Sequence, residues 1–504
     1  MTNTTTSPGN GSNSGSAIHS NDLSSLLGTG GNSSAGSCWN AGKSQAGKTH
    51  ARRSLLQVRS LIGIGCILHV MIVLRDGYHA CQYENSVQIV DQTISSSSSS
   101  TISSSKVSVS LCGSRSSEVR SFNVSEWDQA HIASLIQSSL TRRSFSNADT
   151  RRSFFKSSEH CALLFFGLPR SFFSLTLPSV IENILIPNAP YNCHVFVNYH
   201  ALHHENATTH AGTGGAIDPD EILLLRESMR QVGVRVNGND DYQPNIRFCS
   251  FTEDEFAVSK YGSTFRNLTR HVKDEAGNPL FFALPETLKV YTTDQIDNIL
   301  RMWHSQEAVW SMLEASAAQW NVTYTRAAML RSDFFYLTPI DILEHTDTFS
   351  REPKVDYDNK IAVYFKWPAD PVMDTFFMGP ARGVKAWAGA VPGEDHMALM
   401  HSHILFDLRK NNKHRMYLPQ YMYWTLFPAV ERQNVTVVKE DVICAARVRA
   451  GDIVWLDDCA RHIINPNVRL DLTKQMLNRE TCVRKLFGSQ EQFYCPLLET
   501  RPQH

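Results

Sequence analysis

Charged residues interrupt a strongly apolar stretch in the middle of the chain, AAMLRSDFFYLTPIDI at 327–342. Arg331, Ser332 and Asp333 stand between two apolar runs. An unpaired charge is very costly to bury. The pattern therefore indicates either an ion pair where a strand reaches the edge of a sheet, or a binding site in which both charges have partners. A carboxylate suits a hard divalent cation, and an arginine suits a phosphate.

The segments around this stretch alternate between strand and helix patterns. Short apolar runs such as CALLFFG predict buried strands. Asp218 and Pro219 are a typical helix start, and Thr252 with Glu255 fits a capping box. Strands are predicted at 161–167, 193–199, 245–251, 327–330 and 360–365, and helices at 178–186, 218–232, 292–320 and from Pro380. This alternation predicts an α/β fold with a mostly parallel sheet flanked by helices.

The carboxyl ends of two predicted strands carry polar loops. Ligands of open parallel sheets bind beyond these ends. The loop Gly167–Arg170 follows the first strand, and Arg331–Asp333 follows a later one. We therefore predict one site in which Asp333 is a metal ligand or donor-binding carboxylate, while Gly167, Arg170 and Arg331 contact a phosphorylated donor. In the alternative interpretation, Arg331 and Asp333 only pair with each other at the sheet edge.

Other candidate residues lie further along the chain. Asp374, in DPVMDTFFMGP, is a candidate catalytic base toward an acceptor hydroxyl, or else a loop or N-cap aspartate. His401 and His403 are candidates for an acceptor or altered site, although their spacing does not predict zinc binding. The cluster HALHHE, with His200, reads as a solvated loop.

The N-terminal part of the chain predicts a membrane-anchored organisation. Residues 1–59 are rich in Ser, Asn, Gly and Thr and predict a disordered cytosolic tail. The apolar run within 60–76 predicts a short signal anchor, and its basic N-terminal flank places that side in the cytosol. A buried core segment is the alternative for this run. The expected order is then a Ser-rich stem at 77–157, a catalytic domain at 158–470 and a C-terminal tail at 471–504 that disulfides could staple.

Further features favour a location in the lumen of the Golgi or ER. N-glycosylation sequons follow the predicted anchor, and nine cysteines do so without a C-x-x-C pair. The net charge of −1 gives no overall footprint for nucleic acid. The sequons begin at Asn123, Asn206, Asn267, Asn321 and Asn434. A single-pass type II glycoprotein is therefore the expected form of the chain.

Several segments together resemble an uncharacterised family of glycosyltransferase-like luminal proteins that is common in algae. The resemblance spans about residues 160–460, in order. The segments are ALLFFGLPRSF, LPSVIENILIPN, DPDEILLLRE, DNILRMWHSQEAVW, AMLRSDFFYLTPIDI, DTFFMGPARGVKAW and ARVRAGDIVWLDDC. It implies a GT-A-like, Rossmann-type fold in which Arg-x-Asp replaces the Asp-x-Asp of many such transferases.

The resemblance implies transfer of a sugar from a nucleotide sugar to a glycan or glycoprotein acceptor. Asp333 would then bind Mn²⁺ or Mg²⁺ or the donor, and Arg170 and Arg331 the donor phosphates. Thr375 and His403 depart from the family pattern, which favours altered specificity or lost activity. The alternatives are a sulfotransferase-like enzyme, suggested by FFGLPRS, and a catalytically degenerate module that binds glycans or acts as a scaffold.

Overall fold

The computed structural model describes the chain in several stretches. They are residues 106–111, 120–142, 155, 159–206, 214–267, 293–346, 353–365, 376–389, 426–440, 443–455, 466–477, 482–487 and 490–494. The predicted tail at 1–59 and the predicted anchor at 60–76 lie outside them. Within the described stretches, no helix has the length and apolar character needed to cross a membrane.

Strands are distributed along nearly the whole described chain. They are β1 (Lys106–Leu111), β2 (Arg120–Asn123), β3 (Glu159–Gly167), β4 (His194–His200), β5 (His204–Glu205), β6 (Gly215–Ala216), β7 (Ile246–Phe251), β8 (Thr323–Arg331), β9 (Phe334–Tyr336), β10 (Glu344–Thr346), β11 (Pro353–Val355), β12 (Ile361–Phe365), β13 (Phe376–Pro380), β14 (Thr436–Glu440), β15 (Ala445–Arg449), β16 (Ile453–Trp455), β17 (Val483–Phe487) and β18 (Gln490–Tyr494).

Nine of these strands form a central, mostly parallel sheet. Their order is β14-β12-β13-β8-β3-β4-β7-β1-β2. Seven strands run in one direction, while β13 and β2 are antiparallel to their neighbours. The predicted α/β class with a mostly parallel sheet is therefore confirmed. The carboxyl ends of β3 and β8, which are direct neighbours, meet at one edge of this sheet.

Helices cover both faces of the sheet. They are α1 (Glu126–Arg142), α2 (the consecutive segments Phe172–Thr176, Leu177–Val180, Ile181–Leu185 and Ile186–Asn188), α3 (Leu224–Asn237), α4 (Glu253–Val258), α5 (Thr293–Trp320), α6 (Ala381–Gly389), α7 (Phe427–Glu431) and α8 (Pro466–Leu477). Side chains of β3 alternate between two cores. Leu163 and Phe165 pack with α1, α2 and α3, whereas Leu164 and Phe166 pack with α4, α5, α6 and α7.

A second sheet follows from the end of β8. Its order is β17-β18-β16-β15-β9. Only Ser332 and Asp333 separate β8 from β9, so the chain passes from the central sheet into the second sheet through these two residues. β15 pairs with β9 and places Arg447 opposite Phe334. This pairing brings the end of β15 to the turn that holds Asp333.

Helix α2 contains two widened turns with a shared cause. The Leu177 N–H donates to the Phe172 carbonyl, and the Ile186 N–H donates to the Ile181 carbonyl, each five residues back. Both π-helical turns end two residues before a proline, Pro178 and Pro187. A proline ring clashes with the carbonyl four residues back and lacks an N–H, and a wider turn relieves the clash. Pro178 lies in the first turn of an α-helical segment as expected, but helical structure already begins at Phe172.

The folded domain extends beyond the limits that the sequence predicted. The stem at 77–157 contains β1, β2 and α1, and these elements pair with β7 and pack on α3. The C-terminal tail at 471–504 contains β17 and β18, which complete the second sheet. The cause is physical: Ile132 and Ile136 of α1 are fully buried, so this helix belongs to the core rather than to a flexible stem.

Candidate functional site at the carboxyl edge of the central sheet

Asp333 lies in the turn between β8 and β9 and has no exposed surface. The turn is fixed to the neighbouring strand because the Ser332 amide and hydroxyl both donate to the Phe166 carbonyl, at 2.9 and 3.0 Å. The Asp333 carbonyl accepts from the Val448 amide of β15 at 2.8 Å. Backbone hydrogen bonds to both sheets therefore hold this aspartate at the edge where a ligand of a parallel sheet would bind.

The structure brings Arg170 and Arg331 together on Asp333. Arg331 is bidentate: its Nε and Nη2 donate to Oδ1 and Oδ2, both at 2.8 Å. Arg170 Nη1 donates to Oδ2 at 2.5 Å. The predicted pair of Arg331 and Asp333 therefore exists, and Arg170 from the loop after β3 joins it. Both predicted polar loops contribute to one cluster.

Two further members of the cluster escaped the sequence analysis. Arg449, at the end of β15, is 5% exposed, and its Nη1 lies 3.8 Å from Asp333 Oδ2. Glu205 of β5 is 8% exposed and accepts from Arg170 Nε at 2.7 Å and Arg170 Nη2 at 2.5 Å. We call Arg170, Glu205, Arg331, Asp333 and Arg449 the arginine cluster. Three arginines face two carboxylates in it, which leaves one positive charge in excess.

The charges in the cluster shift the pKa values of its members. Burial would raise the pKa of Asp333, but the charges of Arg331 and Arg170 outweigh it and lower this pKa to about 2. Burial, together with repulsion from Arg170, lowers the pKa of Arg449 to about 9. At neutral pH the carboxylate is therefore ionised and Arg449 is protonated. The excess of positive charge suits an anionic ligand.

Gly167 ends β3 next to the cluster. Its φ of +100° lies in the region that favours glycine, and a Cβ there would lie 3.8 Å from the Ser332 hydroxyl oxygen. The Gly167 N–H donates to Ser305 Oγ of α5 at 3.0 Å. The Ser305 hydroxyl in turn lies 2.7 Å from the Asn198 carbonyl of β4. This bridge fixes the start of the loop that carries Arg170.

The residues around Asp333 do not fit a divalent cation. Hard cations take several oxygen ligands, but both Asp333 oxygens already accept from guanidinium groups. A cation there would also face three arginines. Among the residues that the structure describes, no group of three or more His, Cys, Asp or Glu side chains is arranged to hold a metal ion.

The N-terminus of α2 is close to the cluster in sequence, but a carboxylate already binds there. The Phe173 N–H donates to Glu221 Oε2 at 2.9 Å. Phe172 and Phe173 are buried, and Ser171 has a φ of 41°. A sulfotransferase-like phosphate loop needs free amides at this helix start. The sulfotransferase alternative therefore gains no support from the geometry.

Asp374, His401 and His403 lie outside the described residues, so their predicted roles stay predictions. His200 differs from its predicted place in a solvated loop. It is the last residue of β4, is 5% exposed and stacks on Phe251 with ring centroids 4.9 Å apart. Burial and the charge of Arg301 lower the pKa of His200 to about 4. An imidazole that ends an apolar strand packs there because its neutral form tolerates burial.

Comparison with known proteins leaves the fold and the site as the main guides to function. No protein-family model matches the chain, and no curated protein is similar enough to count as a relative. The resemblance to glycosyltransferase-like luminal proteins therefore stays a hypothesis.

Proposed function

We propose that this protein is a glycosyltransferase-like enzyme that binds a nucleotide sugar at the arginine cluster and transfers the sugar to a glycan or glycoprotein. The observation that carries the proposal is the convergence of Arg170, Arg331 and Arg449 at the carboxyl edge of a mostly parallel sheet. Nucleotide-type ligands bind at this edge in open α/β sheets. Guanidinium groups match the oxygens of a diphosphate leaving group.

More specifically, we propose that the enzyme has a GT-A-like arrangement of its donor site. It is supported by the position of Arg331-Ser332-Asp333 at the carboxyl end of a central parallel strand, where a transferase of this type needs its donor contacts. In this form, Asp374 would act as the base toward the acceptor, as the sequence suggests. A panel of nucleotide sugars identifies the donor.

A luminal location in the Golgi or ER, with a single N-terminal anchor, belongs to the same proposal. Cys161 and Cys193 form a disulfide, and Cys249, Cys444 and Cys482 are disulfide-bonded as well. Such bonds are typical of oxidising compartments. The asparagines of all the sequons after the predicted anchor are exposed. Removal of N-glycans from protein expressed in its own secretory pathway should lower its mass, and an unchanged mass would count against this location.

A non-catalytic module is the second candidate, and one observation favours it. Both oxygens of the Asp333 carboxylate already accept from arginines, so the cluster also forms an internal ion network. Buried networks of this kind can serve the fold alone. Such a protein would bind a glycan, or a partner, without binding a nucleotide sugar.

The test is the melting temperature of the purified full-length chain with a panel of nucleotide sugars, with and without Mn²⁺. A ligand that binds only the folded state stabilises it by about 2.7 kcal/mol at a hundred times its Kd. We expect one nucleotide class to raise the melting temperature. A well-folded sample that responds to no nucleotide sugar but binds a glycan would favour the module instead.

A further inference from the structure

Both oxygens of the Asp333 carboxylate already accept hydrogen bonds from arginines. Oδ1 accepts from Arg331, and Oδ2 accepts from both Arg331 and Arg170, with Arg449 at 3.8 Å. A metal ion bound to these oxygens would have to displace the guanidinium groups and then lie beside them. The Coulomb repulsion between a divalent cation and several buried unit charges at such distances is large.

We infer that Asp333 is a positioning residue rather than a metal ligand, and that the arginines it holds bind a diphosphate directly, without a divalent cation. The inference rests on the proposed function only in treating that diphosphate as part of a nucleotide sugar. It replaces the metal prediction for Asp333 with a role in orienting Arg331 and Arg170.

The orientation of Arg331 is fixed from two sides. Its bidentate bond to Asp333 sets the guanidinium plane, and its Cζ lies 5.1 Å from the centroid of the Phe334 ring. The Arg331 side chain is 14% exposed, against 10% for Arg170 and 6% for Arg449, so it is the most exposed of the three arginine side chains. A fixed donor loses little freedom when an anion binds, which favours affinity.

Arg170 is fixed in the same way by two carboxylates. Glu205 takes Nε and Nη2, and Asp333 takes Nη1. The hydrogen bond and charge of Glu205 also outweigh burial and raise the pKa of Arg170. Guanidinium groups of the protein itself therefore already neutralise the charge of Asp333. The charge that neutralises a diphosphate can come from these side chains alone.

The experiment is titration calorimetry of the full-length chain with inorganic pyrophosphate, once in EDTA and once in excess Mg²⁺. We expect the Kd in EDTA to lie within about twofold of the Kd in Mg²⁺. Charge-assisted hydrogen bonds contribute about 1.5–3 kcal/mol each, so Arg331→Gln should weaken binding about tenfold or more. Arg432→Gln, which removes an exposed arginine from the end of α7, is the matched control and should leave the Kd unchanged.

Asp333→Asn separates a positioning role from metal binding. A positioning role predicts the same loss of pyrophosphate affinity in EDTA and in Mg²⁺. A loss confined to Mg²⁺, or binding by the unmodified chain that requires Mg²⁺, would overturn the inference. If circular dichroism shows that Asp333→Asn does not fold, Asp333→Glu takes its place, because it keeps the charge and moves it by one methylene.

The outcomes distinguish this inference from the proposed function. Pyrophosphate binding in EDTA without binding of any nucleotide sugar would support the arginine site and contradict the transferase. Binding of a nucleotide sugar only with a divalent metal would support the transferase and contradict the metal-free site. No pyrophosphate binding at millimolar concentration, under either condition, would contradict the arginine site outright.

Discussion

Replacing Asp333 with asparagine should destabilise the folded domain strongly. The side chain is fully buried and pairs with Arg170 and Arg331. Breaking a buried ion pair by removing one partner costs about 3–5 kcal/mol, because the remaining charges stay buried without compensation. The pKa of Asp333 gives a second value for this loss of stability. Its decrease from the ordinary 3.8 to about 2 corresponds to about 2 kcal/mol. We therefore expect a loss of about 2–5 kcal/mol in the free energy of unfolding.

The assay is urea unfolding of the full-length chain, followed by tryptophan fluorescence, with Asp358→Asn as the control. Asp358 is 76% exposed on its side chain and faces Lys360 at 3.4 Å, so its loss should cost less than about 1 kcal/mol. Equal midpoints and slopes for the two variants would refute the view that Asp333 organises a buried cluster.

The pH dependence of stability offers an independent reading of the same residue. The pKa of Asp333 is lowered in the folded state, so its contribution is fully present above about pH 4 and is lost as the pH falls toward about 2. The unmodified chain should lose this stability between those pH values. Asp333→Asn should lack that part of the acid loss, whereas an identical acid profile in both proteins would show that the carboxylate is not preferentially ionised when folded.

Three further perturbations test the surrounding fold, each by urea unfolding. Arg326→Gln should cost about 3–5 kcal/mol, because Arg326 is 2% exposed and donates to Asp356 at 2.8 Å; a loss below 1 kcal/mol would mean that this pair is not essential to β8. Replacing both Cys161 and Cys193 with serine should lower the free energy of unfolding by about 3–4 kcal/mol, because their disulfide closes a loop with a sequence separation of 32. An unchanged free energy of unfolding would show that this disulfide does not stabilise the fold. Thr252→Ala should cost about 1 kcal/mol through loss of the capping box of α4, and an unchanged midpoint would show that the cap is redundant.

The central strands and several helix boundaries could be predicted from the sequence because local signals determine them. β3 and β4 are short, continuous apolar runs, and both faces of these strands are buried. The capping box at Thr252 forms with both hydrogen bonds. Asp218 accepts from the Asp220 amide at the start of a helical turn. Such patterns need only a few neighbouring residues to be readable.

Helix α1 was missed although a signal was present. Ile132, Ile136 and Ser139 are buried and follow helical spacing within 126–142. The serine-rich composition of the preceding segment hid that pattern. The folded domain therefore begins before the predicted boundary at residue 158, and helical periodicity marks its start better than composition does.

The arginine cluster could be predicted only in part. Arg170 lies just after β3, and Arg331 ends β8. These two strands are parallel neighbours, so their carboxyl ends lie at the same edge of the sheet, and the proximity of the two arginines could be predicted. Arg449 and Glu205 come from a strand of the second sheet and from a short hairpin. The approach of Arg449 to Asp333 depends on how β15 pairs with β9, and Glu205 joins the cluster through Arg170. Both are tertiary contacts without a local sequence signal. In ARVRAGD the two arginines alternate with Ala446, Val448 and Ala450, and this alternation is the sequence signal that could have pointed to Arg449.

The most direct test of the central claim is a calorimetric titration of the nucleotide sugar selected by the melting panel. It compares the full-length chain with Arg331→Gln and with the surface control Arg432→Gln. If the arginine cluster is the donor site, Arg331→Gln should bind about tenfold more weakly or worse, and Arg432→Gln should bind as tightly as the unmodified chain. Equal affinity of all three proteins would show that the donor binds elsewhere and that the cluster serves the fold alone.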